Sequence, residues 1–292
     1  MLNKRFAVFV LTHGRAKTIS TIDALLRQGY TGDYYVVIDN EDNDEQLYRE
    51  KFGDHIIQFN KKEYADKLDS GDLDTDRRIG VLARNFIQDE AKRLGYKYHL
   101  QLDDDIISFL LRCERDGSLR AITTKNIDKA FDALLEYMDE CDFTSLSLGS
   151  GQYCLGGVSS NNWKKGMIPK TMTTFFMRAD KIRYFKFRMN DDITTSCLNN
   201  MVGDMYYTIM QFQQRNRYTQ SESGGMTEIY RDNGTYRKSF YTVMAIPSAS
   251  KISVEGVKNL RIHHNINFDN VVPRIISDKY RKKKEVHDER IS

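Results

Sequence analysis

Gln101-Leu102-Asp103-Asp104-Asp105-Ile106 closes a short apolar run, Tyr98 to Leu102, with three consecutive carboxylates. Adjacent carboxylates repel one another, and holding them beside apolar residues is unfavourable unless a cation compensates. Hard divalent cations take carboxylate oxygens and complete their shells with phosphate oxygens. In extended backbone Asp103 and Asp105 project to one side, so they can share one metal ion while Asp104 turns elsewhere. An acidic surface loop is the plainer alternative, but the apolar flanks Leu102 and Ile106-Ile107 speak against it.

Upstream of the triplet, strand and helix signals alternate. Phe6 to Leu11 is a continuous apolar run of strand length, and Tyr34 to Ile38 is a second. Between them, Thr18 to Gln28 carries Ile19, Ile22, Leu25 and Leu26 at helical spacing. A short helix over Glu45 to Lys51, a strand over His55 to Phe59 and a helix over Val81 to Leu94 lead to the acidic strand. This order predicts an α/β fold: βαβ units building a Rossmann-like, mostly parallel sheet flanked by helices. Ligands in such sheets sit beyond the carboxyl ends of the strands. That places Thr12-His13-Gly14-Arg15, Asp39-Asn40 and the triplet along one rim.

Downstream the pattern is less regular. A helix is expected over Asn126 to Asp139, strands over Phe143 to Leu148 and Thr171 to Met177, and a helix over Asp204 to Gln214. Ser239 to Ala245 and Lys251 to Val254 read as late strands. The whole reads as one domain over residues 1–278, regular to about residue 110 and mixed over 111–278, with a basic polar tail over 279–292. The tail contains Lys279-Tyr280-Arg281-Lys282-Lys283-Lys284, a run that more often marks a solvated end than a binding arm.

Bulk properties narrow the classes. With 40% hydrophobic residues the 292-residue chain can build a substantial core, and 29% charged residues argue against a membrane protein. Three prolines leave no proline-rich linker, and a net charge of +3 does not by itself imply a nucleic-acid partner. Four widely spaced cysteines, without a CxxC pair, suit reduced thiols. Phe6 to Leu11 is too short for a signal-peptide core, so a cytoplasmic location is expected.

Other candidates are His263-His264, whose neutral imidazoles can close a metal's coordination shell or serve structurally. In Asn190-Asp191-Asp192, either Asp192 or Asp191 can accept a proton from an attacking hydroxyl, or cap a helix. Arg84-Asn85 suits a diphosphate or sugar, or an ordinary surface salt bridge. Some signals fail. Asp72-x-Asp74-x-Asp76 starts like a calcium loop, but Arg77 and Ala83 replace its glycine and glutamate. Gly149-Ser150-Gly151-Gln152-Tyr153-Cys154 lacks the third glycine of a dinucleotide fingerprint, and there is no P-loop.

With these pieces placed, the chain resembles a GT-A glycosyltransferase and, more narrowly, the TET-associated glycosyltransferases of phages, relatives of the base J glucosyltransferase. The matching pieces are Val10 to Ala16, Val36 to Asp42, Leu82-Ala83-Arg84-Asn85, Leu102 to Asp105, Asn190-Asp191-Asp192, Gly224-Gly225-Met226, Tyr236-Arg237-Lys238 and Arg261 to His264. The resemblance implies a UDP-sugar donor, UDP-glucose or UDP-GlcNAc, with residues 1–110 as the nucleotide-sugar half and 111–278 as the acceptor half. Thr12, His13 and Arg15 would lie near the nucleotide, with Asp39 at the uracil and Arg84 supporting the donor. Asp103 and Asp105 would hold Mn2+ or Mg2+ against the diphosphate, with His263 or His264 as a further ligand and Asp104 facing the sugar or the fold.

By the same resemblance the acceptor is the hydroxymethyl group of 5-hydroxymethylcytosine or 5-hydroxymethyluracil in phage DNA. A hexosyl or N-acetylhexosaminyl group would be transferred with inversion, and the base would be flipped or single-stranded. Trp163, Lys164 and Lys165, with Lys170, Arg183, Lys186 and Arg188, are of the types that could line the acceptor side, or they form a positively charged surface over a core. The modest charge favours a competing acceptor: a protein, a glycan or a small molecule. A third option is a non-catalytic DNA- or partner-binding module on a decayed transferase fold, and the intact Asp103, Asp105, Asp192 and His263 argue against it.

Overall fold

The computed structural model describes residues 5–217, 236–256 and 260–272. Gly224-Gly225-Met226 and the basic tail lie outside the described residues. The chain builds β1 (Phe6–Leu11), α1 (Thr21–Arg27), β2 (Asp33–Asp39), α2 (Glu45–Phe52), β3 (Ile56–Phe59), α3 (Lys61–Lys67), α4 (Val81–Arg93) and β4 (Tyr98–Asp103). Then come β5 (Ile106–Arg115), β6 (Ser118–Thr123), α5 (Ile127–Cys141), β7 (Ser145–Gly149), α6 (Asn161–Lys165), β8 (Met167–Ile168) and β9 (Thr174–Arg178). The described chain continues through α7 (Asp191–Met201), β10 (Tyr206–Asn216), α8 (Tyr236–Ala245), β11 (Ser250–Glu255) and β12 (Arg261–Ile266).

One sheet runs in the order β3-β2-β1-β4-β9-β7-β10-β5-β6, with β8 added beside β10. Its first four strands are parallel, as expected. The remainder is mixed: β9 is antiparallel to both β4 and β7, β7 and β10 are parallel, and β5 and β6 form an antiparallel hairpin beside β10. β11 and β12 form a separate antiparallel pair.

Alternation along β1 explains the two layers. Phe6, Val8 and Val10 point to one face with Leu25 of α1 and Ile127, Phe131 and Met138 of α5. Ala7 and Phe9 point to the other, with Val81, Leu82, Ile87 and Ala91 of α4. Helical spacing puts the apolar residues of α4 on one stripe, so that helix covers the sheet and leaves its first turn at the rim. Phe131 anchors the first face, its ring 5.2 Å from Phe176 and 5.9 Å from Phe6.

Two expectations are corrected. Asp204 to Gln214 is not a helix: the central strand β10 occupies Tyr206–Asn216, paired with β7, β8 and β5. Most of β10 is buried whichever face a residue takes, with Gln211 and Arg215 the exposed exceptions, so its sequence carries no clean period of two. Ser239 to Ala245 is not a strand but the body of α8, where Tyr236, Phe240 and Met244 are exposed at a spacing of four. The β5–β6 hairpin turns through Asp116 and Gly117, both at positive φ (52° and 68°), the pairing that a two-residue type I′ turn requires.

Beside β10, Gly149 ends β7 so close to it that an added Cβ would stand 2.8 Å from the Ile209 carbonyl oxygen. Only glycine fits there without shifting backbone. The β7–β10 register breaks between Ile209 and Gln213.

Candidate active site

The rim is assembled where the parallel strands end. Thr12, just past β1, donates from Oγ1 to Asp104 Oδ2 at 2.6 Å, and Arg15 Nη1 reaches Asp104 Oδ1 at 2.9 Å. The fully buried Tyr48 of α2 backs this turn: its hydroxyl lies 2.9 Å from Thr12 Oγ1 and accepts the Arg15 backbone N–H at 2.8 Å. His13 Nδ1 stands 2.8 Å from Asp39 Oδ2, and the buried Lys61 Nζ is 3.2 Å from the same oxygen. Burial alone would raise the Asp39 carboxyl, but the His13 hydrogen bond and the charges of His13 and Lys61 hold it below the usual carboxylate range. The Asp39 hydrogen bond in turn raises His13.

The triplet is not extended throughout. Asp103 is the last residue of β4, and Asp104 and Asp105 form the turn into β5. Asp104 points inward, is 5% exposed, and spends both carboxylate oxygens on Thr12 and Arg15. Of the two places expected for Asp104, the fold is the one observed. Asp103 and Asp105 remain at the half-buried surface. Asp105 Oδ1 accepts from Asn216 Nδ2 at 2.6 Å, and Asp103 Oδ1 accepts from Arg84 Nη2 at 3.1 Å. Burial, with the like charges of Asp105, Asp104 and Asp192, outweighs Arg84 and pushes the Asp103 carboxyl up to about 7. Asp105 is raised too, by burial and then, against the Asn216 bond, by Asp104.

Arg84 links the triplet to a second acidic pair. It is not the surface salt bridge that a helix start might carry, being 7% exposed with its guanidinium 4.9 Å from the Phe175 ring. Its Nε lies 3.2 Å from Asp191 Oδ2 as an ion pair. Arg84 Nε, Arg84 Nη1 and Asp191 Oδ2 are buried without a hydrogen-bond partner among the described residues. A buried guanidinium with an unused donor, set among carboxylates, suits an incoming oxygen anion.

Asp191 and Asp192 open α7, where the helix dipole favours acidic side chains. Preceding them, Asn190 has a left-handed backbone (φ 53°), which asparagine tolerates. Its side-chain amide donates to the Lys238 carbonyl at 3.0 Å and to Thr242 Oγ1 at 2.8 Å, so α7 starts at a point fixed by α8. Burial and Asp192 push the Asp191 carboxyl up against the pull of Arg84. Asp192 acts electrostatically on Asp103 and Arg84 and also on Lys170 and Tyr153.

The two histidine rings stack, their centres 4.6 Å apart, but they have different hydrogen-bond partners. His264 Nδ1 lies 3.2 Å from Asn190 Nδ2, and burial, with His263, Lys238 and Lys170, lowers it to about 4. His263 Nδ1 lies 2.6 Å from the His264 carbonyl and 3.6 Å from Glu255. Among the described residues, no three histidine, cysteine or acidic side chains converge as a ready-made metal site. A cation on Asp103 and Asp105 would need further ligands beyond these two carboxylates, and a donor's phosphate oxygens are of the kind it takes.

On the expected acceptor side, Lys164 and Lys165 are exposed on α6, whereas Trp163 packs against the small cluster of Cys154, Ile168 and Met210. Asp72 and Asp74 are taken up by Arg188 and Arg237, so the calcium-like spacing serves an internal clamp. Sequence reasoning missed Tyr48, Lys61 and Asn216. Asn216 ends the strand read as a helix, and nothing local marks Lys61 as buried.

A family model described as TET-Associated Glycosyltransferase matches residues 6–225, and the chain belongs to that family. It is a glycosyltransferase by that membership. No curated protein matches the sequence. Among solved structures, glucosyl-3-phosphoglycerate synthase from Mycobacterium tuberculosis, crystallised with Mg2+ and uridine diphosphate, is similar over 89% of this chain and 87% of its own. The identity is 9% and the TM-score 0.48, and so distant a likeness carries no argument about the site. No helix among the described residues is long and apolar enough to cross a membrane.

Proposed function

We propose that the protein transfers a sugar from a UDP-sugar, with Mg2+ or Mn2+, to the hydroxymethyl group of a 5-hydroxymethylpyrimidine in DNA. The observation that carries the transfer chemistry is Arg84, buried between Asp103 and Asp191 with an unused Nη1 beside an acidic turn. The acceptor class rests on membership in a TET-associated family.

The oxygen-only set of Asp103 and Asp105, crowded by like charge, fits a hard divalent cation. When bound, that ion neutralises charge developing on the departing diphosphate. Thr12, His13, Arg15 and Asp39 shape the nucleotide side of the rim, with Asp104 bracing it from inside. Arg84 directs its spare donor at the diphosphate, and Asp191 positions Arg84. Asp192 accepts the proton of the acceptor hydroxyl as its oxygen bonds to the sugar's anomeric carbon. The bond from that carbon to the diphosphate breaks, UDP leaves with the electron pair, and the configuration inverts.

The test incubates the protein with a UDP-sugar panel, Mn2+ or Mg2+, and DNA carrying either modified base, then weighs the nucleosides. A hexose or N-acetylhexosamine mass increment on one base is expected. No increment on either DNA, with transfer to a protein or glycan instead, overturns the acceptor assignment.

A further inference from the structure

Within electrostatic reach of Asp192 lies a group that the transfer step above does not use. Lys170 sits in the loop between β8 and β9, and its ammonium is 4.3 Å from the centre of the Tyr153 ring and 5.7 Å from that of Phe268. Tyr153 comes from the single helical turn after β7, and Phe268 from the turn after β12, so three segments distant in sequence converge on one cation. Among the described residues, Lys170 Nζ has these ring faces and no hydrogen-bond acceptor or ion-pair partner within 4.0 Å.

A half-buried ammonium is unfavourable when its N–H groups go unmatched. Burial lowers the Lys170 ammonium's pKa, and Asp192 only partly offsets that. The supporting loop is fixed with care. Ser147 Oγ donates to the Met172 carbonyl at 2.9 Å, and Gln214 Nε2 donates to Thr173 Oγ1 at 2.6 Å. Thr173 itself has φ 62°, a strained value for a β-branched residue. Strain of this kind persists where surrounding structure over-determines a site.

We propose that Lys170, Tyr153 and Phe268 form the acceptor subsite, with Lys170 binding a phosphodiester oxygen beside the modified base and so presenting the hydroxymethyl group to Asp192. This rests on the DNA-acceptor reading above. A cation flanked by aromatic rings is the pairing that binds single-stranded or flipped nucleotides: the rings contact the nucleotide and the ammonium takes the phosphate. Lys164 and Lys165, exposed on α6, are not part of this cluster.

The experiment compares wild type, K170A and K170R with two acceptors: a short oligonucleotide carrying the hydroxymethylated base, and the free hydroxymethyl nucleoside, which has no phosphodiester. For K170A, KM for the oligonucleotide is expected to rise about tenfold or more, the scale of one charged hydrogen bond. KM for the nucleoside should stay put. The salt slope of oligonucleotide binding should shrink by about one unit, and K170R should restore it.

An equal KM rise on both acceptors, or an unchanged salt slope, overturns the subsite. If wild type transfers sugar to the oligonucleotide and K170A is indistinguishable, the subsite falls and the function stands. Should wild type bind the oligonucleotide through Lys170 yet transfer nothing to it, the function falls and the subsite stands. If wild type neither binds nor modifies the oligonucleotide, both fall.

Discussion

Thr12 and Asp104 are joined by a 2.6 Å hydrogen bond that ties the end of β1 to the turn after β4. The middle carboxylate of the acidic triplet is therefore a brace, while its neighbours stay half-buried at the rim. Asp104→Ala should destabilise the fold by about 3 kcal/mol, the low end for truncating a buried pair, because Arg15 keeps some access to water. Asp103→Asn should leave stability unchanged or raised by relieving like-charge repulsion, and should cut transfer about a hundredfold or more. Urea unfolding beside a sugar-transfer assay separates the two, and equal destabilisation by both would contradict the division.

Arg84 and Asp191 should behave as a coupled pair. Arg84→Ala leaves buried carboxylates uncompensated and should cost about 3–5 kcal/mol. In the Asp191→Asn background the same change should cost less, with a coupling of about 1–3 kcal/mol. A double-mutant cycle by chemical denaturation reads this directly. Additive effects would mean that the 3.2 Å approach carries no interaction.

Acid should weaken the protein through His99, which is wholly buried and held down to about 3 by that burial. The unfolded chain takes up this proton near pH 6.5 and the folded chain does not, so stability falls as pH drops from about 6.5 toward 3. The maximum slope is about 1.4 kcal/mol per pH unit for one such group. His13 runs the other way: its folded value is raised, so its contribution is complete below about pH 6.5 and is lost as pH climbs past the folded value. His99→Gln should flatten the acid limb in urea melts between pH 7 and 4, and an unchanged limb would contradict the assignment.

Gly149→Ala should destabilise by about 1–3 kcal/mol, since the new methyl meets the Ile209 carbonyl rather than a movable side chain. Thermal melting against a surface control such as Gly95→Ala is not informative, because Gly95 has φ 82° and is strained for alanine too. Val202→Ala, 79% exposed in its native form, is the appropriate control and should change little.

The first half of the fold was legible because each buried strand there is a compact apolar run followed by an amphipathic helix. Phe6–Leu11 was readable to the residue. The rim followed from topology, since parallel strands deliver their carboxyl ends to one side. The second half resisted for physical reasons. Tyr206–Asn216 is mostly buried whichever face a residue takes, so its sequence sets no clean period, while α8 is built from Tyr, Phe, Thr and Val, which also suit strands. The Asp116-Gly117 turn was a usable hairpin signal that went unread. Asp103, Asp105 and Arg84 could be singled out by chemistry alone, whereas the inward turn of Asp104 and the different partners of His263 and His264 depend on tertiary contacts that no local pattern encodes.

Asp191 and Asp192 are consecutive at the start of one helix, where neighbouring side chains diverge by about 100°. Asp191 engages the arginine beside the acidic turn, Asp192 is felt electrostatically by that arginine and by Lys170, and Asn190 bolts their shared backbone to α8. The helix start thus works as a ruler with two marks. Met172 and Phe268, from the segments that bring Lys170 its aromatic neighbours, pack against Ile193 and Cys197 of the same helix, so a change in those segments is passed directly to both marks.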